Sequence, residues 1–420
     1  MTKKNPPKKK ILIAAYAISP YSGSEFGVGW NFVSKLSEFY DITVMYGTSG
    51  VCMGNRDAML KYLESNPSDG VNYVYVEPNW LVRLFDWMNR SVTPLFFSFS
   101  YMFWQRQVLA TARKMQAKEN YSLVHQLNTI GFRHPGFLWK LDLPFVWGPV
   151  GGSSNLNEIF FPMLGKGNYL RHKLRNCTNS YFLQHSARVK KAATAAKAVF
   201  SATSADRDNF KRFLQIDSQV IRENSLLNLR SEIKPTGAEV QFVWAGRVDE
   251  LKALNLVLSA LEQLPAQNSW RLHVIGDGPC KAALQATSAA LKLDKRILWH
   301  GQVPREQVLD IMRDADVHLL PSIMDSNPTV LLEAFEMGLP SIALDQFGAR
   351  DLITPETGFK VSLNTVEKVI EQFSEHMTFC LNNHAALDVM KTNVLRRQAA
   401  LHWDVTLRQV RDIYEKVTHE

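Results

Sequence analysis

The sequence FVWAGRVDELKALN, at positions 242–255, consists of an apolar strand-like run, a polar loop and the start of a helix. A continuous apolar run is typical of a strand in a parallel sheet that helices cover on both faces. The loop holds Arg247 and Lys252 beside the helix N-terminus. A guanidinium, an ammonium and free backbone amides can together hold a diphosphate, so this stretch predicts an α/β fold with an anion site.

The same alternation of apolar runs and helical segments continues in both directions. The runs are 240–245, 270–275, 297–300, 317–320 and 341–343 in the second half, and 11–18, 42–46, 71–76, 123–126 and 144–147 in the first. The polar stretch 228–239 separates the two sets. We therefore predict the α/β class, with two Rossmann-like doubly wound parallel sheets facing across a ligand cleft. The predicted domains are 1–228 and 229–400, followed by a C-terminal helix, 401–420, that packs back on the first domain.

The composition indicates a globular protein of two domains and excludes several other classes. The chain has 420 residues, of which 46% are hydrophobic and 21% charged. It has no run of about 18 uncharged apolar residues, as a spanning helix needs, and no hydrophobic signal segment near its start. Its cysteines (Cys52, Cys177, Cys280 and Cys380) are widely separated and show no metal-ligand spacing. We expect reduced thiols, a cytoplasmic location and no bound metal.

Positive charge is concentrated in the first half of the chain. Residues 1–232 hold 29 Lys and Arg against 16 Asp and Glu, whereas residues 233–420 hold 19 against 24. No nucleic-acid-binding motif accompanies this charge, so we exclude a nucleic-acid partner. The basic clusters at 3–10 and 166–191 fit an anionic membrane surface or a phosphorylated acceptor. A solvated face with a loose tail explains them equally well.

The segment 80–104 is unusually rich in aromatic residues and carries Arg83 and Arg90, with Arg106 just beyond it. Such a pattern fits a pair of helices lying in a membrane interface. A buried helix hairpin in the first domain explains the same residues, and the sequence leaves both interpretations open.

Two acidic residues in the second half lie eight positions apart. Asp325 and Glu333 belong to the sequence DADVHLLPSIMDSNPTVLLEAFEMGLP at 314–340. If a helix begins near Pro328, Asp325 lies in the preceding loop and Glu333 points inward from the second turn. The Asp314-Ala-Asp316 triplet resembles a metal-binding pair, but it lies at a helix end just before a strand, and we assign it a structural role.

In this order, the motifs of the second half resemble the donor domain of the retaining GT-B nucleotide-sugar glycosyltransferases of family four. The resemblance implies that Arg247 and Lys252 form a diphosphate clamp, that Asp325 binds the donor sugar and that Glu333 binds the ribose. Further donor contacts are implied for Gly246, Gly276, Asn327, Thr329 and Val330. Asp325 replaces the usual Glu, which shortens its reach by one methylene group, and Ala253 replaces the usual Gly.

The first half is similar to a bacterial subset of this family that builds surface polysaccharides. The similarity rests on GSEFGVGW at 23–30, FRHP at 132–135 and PFVWGPVGG at 144–152. It implies that residues of these loops face the cleft and the acceptor, namely Gly23, Ser24, Glu25, Gly151 and Gly152. His125, at a predicted strand end, matches a position that touches the transferred sugar, with His134 as the competing candidate. A purely structural role for His125 stays open.

The resemblance implies retaining transfer of a sugar from a nucleoside diphosphate, UDP or GDP, to a saccharide acceptor. The implied acceptor is phosphorylated or linked to a lipid such as polyprenyl diphosphate, and the enzyme would touch the anionic inner face of the cytoplasmic membrane through its basic first domain. Fixed cations stabilise the leaving diphosphate, so we expect no metal or other cofactor. A nucleotide-sugar epimerase, a phosphorylase and a non-catalytic nucleotide-sugar-binding subunit are the alternatives.

Overall fold

The computed structural model describes residues 8–21, 23, 25–47, 56–67 and 70–419. Ser24, Cys52 and the first part of the basic cluster 3–10 lie outside the described residues. The chain divides into two compact units, which are taken in turn below. Unit 1 comprises Met1–Ser154, Thr178–Asn224 and Thr406–Glu420, and unit 2 comprises Asn155–Cys177 and Ser225–Val405.

Unit 1 is built on a seven-stranded sheet in which all strands are parallel. Its strands are β1 (Lys10–Ala15), β2 (Asp41–Tyr46), β3 (Val71–Tyr75), β4 (Leu123–Asn128), β5 (Phe145–Val150), β6 (Ala198–Ser201) and β7 (Gln219–Val220). Their spatial order is β3-β2-β1-β4-β5-β6-β7. The central strands β4 and β5 are buried along their whole length; β5 is apolar throughout, whereas β4 also buries the polar residues His125, Gln126 and Asn128.

The helices that begin before residue 225 connect these strands, although the helical residues 166–177 belong to unit 2. They are α1 (Glu25–Leu36), α2 (Arg56–Ser65), α3 (Trp80–Ser91), α4 (Phe97–Gln116), α5 (Lys166–His185), α6 (Ala187–Ala195) and α7 (Ser204–Asn209). Side chains fix several of the starts: Asn79 accepts a hydrogen bond from the Val82 amide at the start of α3, and Ser186 accepts one from the Val189 amide at the start of α6. The apolar faces of α3, α4 and α6 contribute Val82, Trp104 and Val189 to the core of unit 1.

Unit 2 contains a six-stranded sheet, also parallel throughout. Its strands are β8 (Val240–Ala245), β9 (Trp270–Ile275), β10 (Ile297–Gly301), β11 (Val317–Leu320), β12 (Ser341–Leu344) and β13 (Gly358–Val361), in the order β10-β9-β8-β11-β12-β13. Its helices are α8 (Leu254–Glu262), α9 (Lys281–Ala290), α10 (Arg305–Asp314), α11 (Thr329–Glu336), α12 (Phe347–Leu352), α13 (Val366–Asn382), α14 (His384–Leu401) and α15 (Trp403–His419), the last of which continues into unit 1.

The two parallel sheets confirm the predicted fold class. Each of the ten predicted apolar runs overlaps a strand. The division into units places residues 155–177 and 225–228 in unit 2, whereas the predicted boundary between the domains lies after residue 228. Asn155–Cys177 belongs to unit 2 because Leu156, Phe160 and Leu164 are buried in the core of that unit. Thr406–Glu420 belongs to unit 1, where Glu415 accepts hydrogen bonds from Lys9 and Tyr40.

Candidate functional site

The predicted diphosphate clamp begins directly after β8, at Gly246 and Arg247. The Gly246 amide donates to the Ile275 carbonyl at 2.9 Å, which holds the loops after β8 and β9 against each other. A Cβ on Gly276 would lie 1.9 Å from the Gly246 carbonyl oxygen, and Gly276 has a φ of +129°. Only glycine fits this close approach, so backbone rather than side chains forms this part of the surface.

Five of the predicted donor-binding residues line one cavity of about 550 Å³ within unit 2. They are Gly246, Arg247, Gly276, Val330 and Glu333. The cavity lies at the carboxyl ends of β8 and β9, where parallel α/β sheets commonly bind ligands. Its volume falls within the range of about 300–1,000 Å³ that is typical of small-molecule sites.

Arg247 is loosely held. Its side chain is 71% exposed, and its Nε lies 3.7 Å from the Asp249 carboxylate. Asp249 also accepts hydrogen bonds from the amides of Leu251 and Lys252, which fixes the turn between Arg247 and Lys252. Because a long, exposed ion pair contributes little, the Arg247 guanidinium can exchange Asp249 for a stronger anion in the cavity.

Lys252 and Asp325 contact each other directly. The Lys252 ammonium donates to the Asp325 carboxylate, and both side chains are largely but not fully buried. The two loops that carry them are joined by a hydrogen bond from the Ile323 amide to the Leu251 carbonyl, 2.9 Å long. The Lys252 Cγ lies 3.8 Å from where a Gly246 Cβ would be. Lys252 of the predicted clamp and Asp325, the predicted sugar-binding acid, therefore form an ion pair beside Gly246.

Glu333 extends from α11 into the same cavity. The helix begins at Thr329 and Pro328 precedes it, as predicted. Glu333 and Val330 are three residues apart and share one helix face. The Glu333 carboxylate accepts a hydrogen bond from Arg305, with Nε and Oε1 3.0 Å apart. Sequence spacing gave no signal for this pair, because its partners lie 28 positions apart on different helices.

Asn327 and Thr329 precede Val330, which lines the cavity, but neither of them is among the lining residues in the part of the chain that the structure describes. The Asn327 Oδ1 lies 3.1 Å from where a Gly348 Cβ would be, at the start of α12. The Gly348 amide donates to the Ser326 carbonyl at 2.8 Å. Thr329 is exposed on the first turn of α11. The loop after Asp325 is thus anchored on α12 through its backbone.

Asp316 has structural partners, in agreement with the role assigned to it from the sequence. Its carboxylate accepts from the Lys391 ammonium at 2.6 Å and from the Gln241 amide at 2.8 Å. Asp316 and Lys391 are each only 2% exposed. These contacts tie α14 to the sheet.

In unit 1, the loops after β1 and β4 are held together around Asn128. Its side chain donates to the Ala17 carbonyl at 2.7 Å and accepts from the Ala17 amide at 3.2 Å. The Glu25 carboxylate accepts from the Ile130 amide at 2.9 Å, and burial raises the pKa of Glu25. Gly23 lies on the same β1 loop.

Gly151 and Gly152 follow β5 and adjoin the loop after β4. The Gly151 amide donates to the Ile130 carbonyl at 2.9 Å, and Gly152 has a φ of +77°. The predicted acceptor residues that the structure describes, Gly23, Glu25, Gly151 and Gly152, therefore belong to neighbouring loops at one edge of the unit 1 sheet.

The expectation that His125 closes a strand is wrong. β4 continues to Asn128, so His125 lies in the middle of the strand and is fully buried. Its Nδ1 is 2.6 Å from the Tyr414 hydroxyl, and its Nε2 is 2.5 Å from the Gly148 carbonyl oxygen. Burial lowers the pKa of His125 to about 4. The ring is neutral at pH 7 and both its nitrogens have protein partners, which is a structural environment.

A buried polar network surrounds Tyr101, and no sequence motif indicated it. The Tyr101 hydroxyl donates to the Asn128 carbonyl at 3.1 Å and accepts from the Gln105 amide group and the Thr129 backbone amide. His134, the competing candidate, packs edge-on against the Tyr101 ring and pairs with Ser98 at 3.0 Å. This network connects α4 to the loop after β4.

The aromatic segment 80–104 forms helices α3 and α4, which contain both buried and exposed large apolar residues. Trp104 and Tyr101 are buried in the core of unit 1, as a helix hairpin requires. Trp80, Leu84 and Trp87 are exposed at i, i+4 and i+7 on α3, so one helix face is apolar and faces solvent. Among the described helices, none has an apolar stretch sufficient to span a bilayer.

Comparison with known proteins finds a family match in the second half of the chain. Residues 228–395 match the family described as Glycosyl transferases group 1. This match confirms the resemblance for the donor domain, while family four and retaining chemistry stay predictions. A lipopolysaccharide 1,6-galactosyltransferase of Escherichia coli (strain K12) is 35% identical over 125 residues, which cover 29% of this chain and 34% of that enzyme. The chain matches 25–48% of the length of the first four curated relatives.

Solved structures are similar over nearly the whole chain. The lipopolysaccharide outer core galactosyltransferase WaaB, in its apo form, aligns over 93% of this chain and 99% of its own, with a TM-score of 0.61 and 17% identity. Anabaena Alr3699/HepE, in complex with UDP and glucose, aligns over 97% and 100%, with a TM-score of 0.59 and 16% identity. These similarities show that the fold is GT-B.

Proposed function

We propose that this chain is a retaining glycosyltransferase that moves a sugar from a nucleoside diphosphate to a saccharide acceptor in bacterial surface-polysaccharide synthesis. The observation that carries the proposal is the cavity at the carboxyl end of β8, which Arg247 and Glu333 both line. The Lys252–Asp325 pair lies beside Gly246, which lines the same cavity. The group 1 match and the names of the relatives support it. UDP and glucose in the complex of Alr3699/HepE support a nucleotide-sugar donor.

The chemistry follows from where charge develops. When the anomeric C–O bond breaks, its electron pair leaves with the diphosphate, whose negative charge grows in the transition state. Cations whose hold strengthens at that moment lower the barrier. Arg247 is exposed at the cavity and weakly paired, so its guanidinium is available for this charge. No protein group has to be protonated or deprotonated for this part of the step.

Lys252 has a second task in the proposal. Its ammonium donates a hydrogen bond to the Asp325 carboxylate. An arriving diphosphate competes for the ammonium, and Asp325 then becomes available to accept hydrogen bonds from sugar hydroxyls. The Lys252–Asp325 exchange would thus couple binding of the diphosphate to binding of the sugar, with fixed cations rather than a metal ion stabilising the leaving group.

Unit 1 is proposed to bind the acceptor, a saccharide that is phosphorylated or linked to a lipid such as polyprenyl diphosphate. Its exposed apolar residues suit the inner face of the cytoplasmic membrane: Trp80, Leu84 and Trp87 are exposed on α3, and Leu95 and Phe99, which follow α3, are exposed as well. Arg83 and Arg90 lie on the same helix, and positive charge beside an apolar face favours anionic lipid.

The function is tested with purified protein, a panel of UDP and GDP sugars, and a polyprenyl-diphosphate-linked saccharide. We expect release of the nucleoside diphosphate only with acceptor present, in buffer containing EDTA, and a product whose anomeric configuration by NMR equals that of the donor. Arg247→Ala is the inactive control. Sugar conversion without acceptor would indicate an epimerase, and dependence on phosphate a phosphorylase. Donor binding without turnover would indicate a binding subunit.

The membrane contact is tested by sedimentation with vesicles. We expect binding to vesicles containing phosphatidylglycerol, weakening as salt rises, and reduced binding by the Trp80→Ser/Trp87→Ser variant. Leu229→Ser, which changes an exposed apolar residue of unit 2, is the matched control. Equal binding to neutral vesicles, or equal binding by the double variant, would rule out this surface.

A further inference from the structure

We propose that Arg305 is a positioning residue, which holds the Glu333 carboxylate in place for the ribose hydroxyls of the donor and thereby sets a preference for ribonucleotides. This inference rests on the proposed function, because it needs a nucleoside diphosphate in the cavity of unit 2. It concerns a residue that no motif identified. Arg305 follows Pro304 as the first residue of α10, and its partner lies on α11.

Arg305 contacts Glu333, which lines the cavity, from a neighbouring segment of the cavity wall. Gln302 and Val303 line the cavity before α10 begins, and Val308 lines it one turn into the helix. Arg305 therefore sits within a segment that forms the cavity wall. Its Nε donates to the Glu333 Oε1 at 3.0 Å. The Arg305 side chain is 61% exposed, whereas that of Glu333 is 17% exposed, so the arginine approaches the enclosed carboxylate from the solvent side.

The Arg305–Glu333 ion pair reduces the negative charge at the cavity. A carboxylate that shares a cavity with a diphosphate repels it, since the two negative charges lie close together. The Arg305 guanidinium offsets the Glu333 charge directly. A carboxylate has two oxygens and about four acceptor positions, so one hydrogen bond to Arg305 leaves capacity for ribose hydroxyls. The arginine thus makes an acid compatible with an anionic ligand.

The same arrangement creates selectivity for ribose. A site built to accept a hydroxyl loses a hydrogen bond when that hydroxyl is missing, and an enclosed acceptor left unpaired is costly. The loss is large only if the carboxylate is held in one orientation. Without Arg305, Glu333 can turn toward solvent and the penalty for a deoxyribose falls. An ordinary surface ion pair would stabilise the fold slightly and leave ligand selectivity unchanged.

The experiment compares the affinities of ribo- and 2′-deoxyribonucleoside diphosphates by calorimetry, using UDP and dUDP, and GDP and dGDP. For the wild-type protein we expect a ribose preference of about tenfold with whichever base binds. Arg305→Gln should reduce that preference to about twofold and weaken ribonucleotide binding about fivefold. Arg305→Lys should recover the affinity, through its charge, but not the preference, because an ammonium lacks the directional guanidinium geometry.

Two controls isolate the mechanism. Arg313→Gln removes another arginine from α10, one that pairs with Asp310, and should change neither affinity nor preference. In a Glu333→Gln background, the further change Arg305→Gln should have no effect on the preference. An unchanged preference in Arg305→Gln, or an equal loss in Arg313→Gln, would overturn the inference while leaving the proposed function intact. If no nucleoside diphosphate binds the wild-type protein, both are wrong.

Discussion

The strand β11 has a lysine–aspartate pair near each end, and the two pairs differ in almost every property. Before the strand, Asp316 and Lys391 are each 2% exposed. The Lys391 ammonium donates to Asp316, to the Lys234 carbonyl and to the Thr236 hydroxyl, which uses all three of its protons. After the strand, the Lys252–Asp325 pair is only partly buried and lies beside a cavity.

This difference separates structural from functional charge. A buried pair whose hydrogen bonds are all made inside the protein has nothing left to offer a ligand, and it stabilises one arrangement of the chain. A partly solvated pair at the carboxyl edge of a parallel sheet can exchange partners at low cost. Each pair joins a lysine ammonium to an aspartate carboxylate, so residue type does not reveal which pair could serve catalysis; burial, the other hydrogen bonds of the lysine and position in the sheet do.

The largest expected effect is the loss of transfer activity in Arg247→Ala. We expect kcat to fall about 10³-fold, as when a donor that stabilises a developing anion is removed, with an unchanged circular dichroism spectrum. Arg271→Ala, which removes an exposed arginine paired with Glu239 on the same sheet, should keep wild-type activity. A well-folded Arg247→Ala variant with normal kcat would show that the cavity is not the site of chemistry.

Removal of the buried lysine should instead affect folding. Lys391→Met leaves the Asp316 carboxylate buried without its counter-ion, and we expect the free energy of unfolding to fall by about 3–5 kcal/mol in urea titrations. Lys252→Met should change it by less than about 1 kcal/mol, because its pair is partly solvated. If the two variants are destabilised equally, the contrast between the two ends of β11 is not real.

Burial of His125 predicts acid sensitivity of unit 1. Its pKa is about 4 in the folded protein, against about 6.5 for an unperturbed histidine. Between these values the unfolded chain binds the additional proton, so stability falls as pH is lowered from about 6.5 to 4, by up to about 3 kcal/mol. Urea titrations at several pH values should show a weaker pH dependence for His125→Gln than for the wild-type protein.

The exposed His419 provides the matched control for that experiment, since His419→Gln should keep the wild-type pH dependence. An unchanged pH dependence in His125→Gln would mean that the ring is not buried and neutral, and would reopen a role for it in catalysis.

The smallest expected effect concerns Ala253, which replaces the usual glycine. Its φ is +48°, in the left-handed region, where a Cβ costs about 1–2 kcal/mol. Glycine would remove that cost but lose about 0.5–1 kcal/mol through its greater freedom in the unfolded chain. We therefore expect Ala253→Gly to raise the melting temperature slightly and leave activity unchanged. A marked loss of stability would contradict the left-handed backbone geometry of Ala253, next to the predicted diphosphate clamp.

Much of the site could be predicted because it depends on the order of strands and helices. The ends of parallel strands meet at one edge of a sheet, so Arg247 after β8, Gly276 after β9 and Glu333 on the helix after β11 come together whatever their separation in sequence. Pro328 correctly marked the start of α11 because its geometry suits a helix entrance.

What could not be predicted depends on packing between distant segments. No spacing rule connects Arg305 to Glu333, because they lie on different helices. The strand β7 has only two residues, and Lys360 interrupts the apolar run of β13, so neither strand shows a clear apolar pattern. His125 looked like the end of a strand because the predicted run covers only residues 123–126, yet β4 extends to Asn128, whose side chain hydrogen-bonds to the backbone of Ala17.

A crystal structure of the protein with a nucleoside diphosphate bound would test most directly whether the cavity of unit 2 is the donor site. We expect diphosphate oxygens within hydrogen-bonding distance of Arg247 and Lys252, the ribose at Glu333, and an Asp325 carboxylate that Lys252 has released. A diphosphate bound elsewhere, with Lys252 still paired to Asp325 and Arg247 still directed at Asp249, would contradict it.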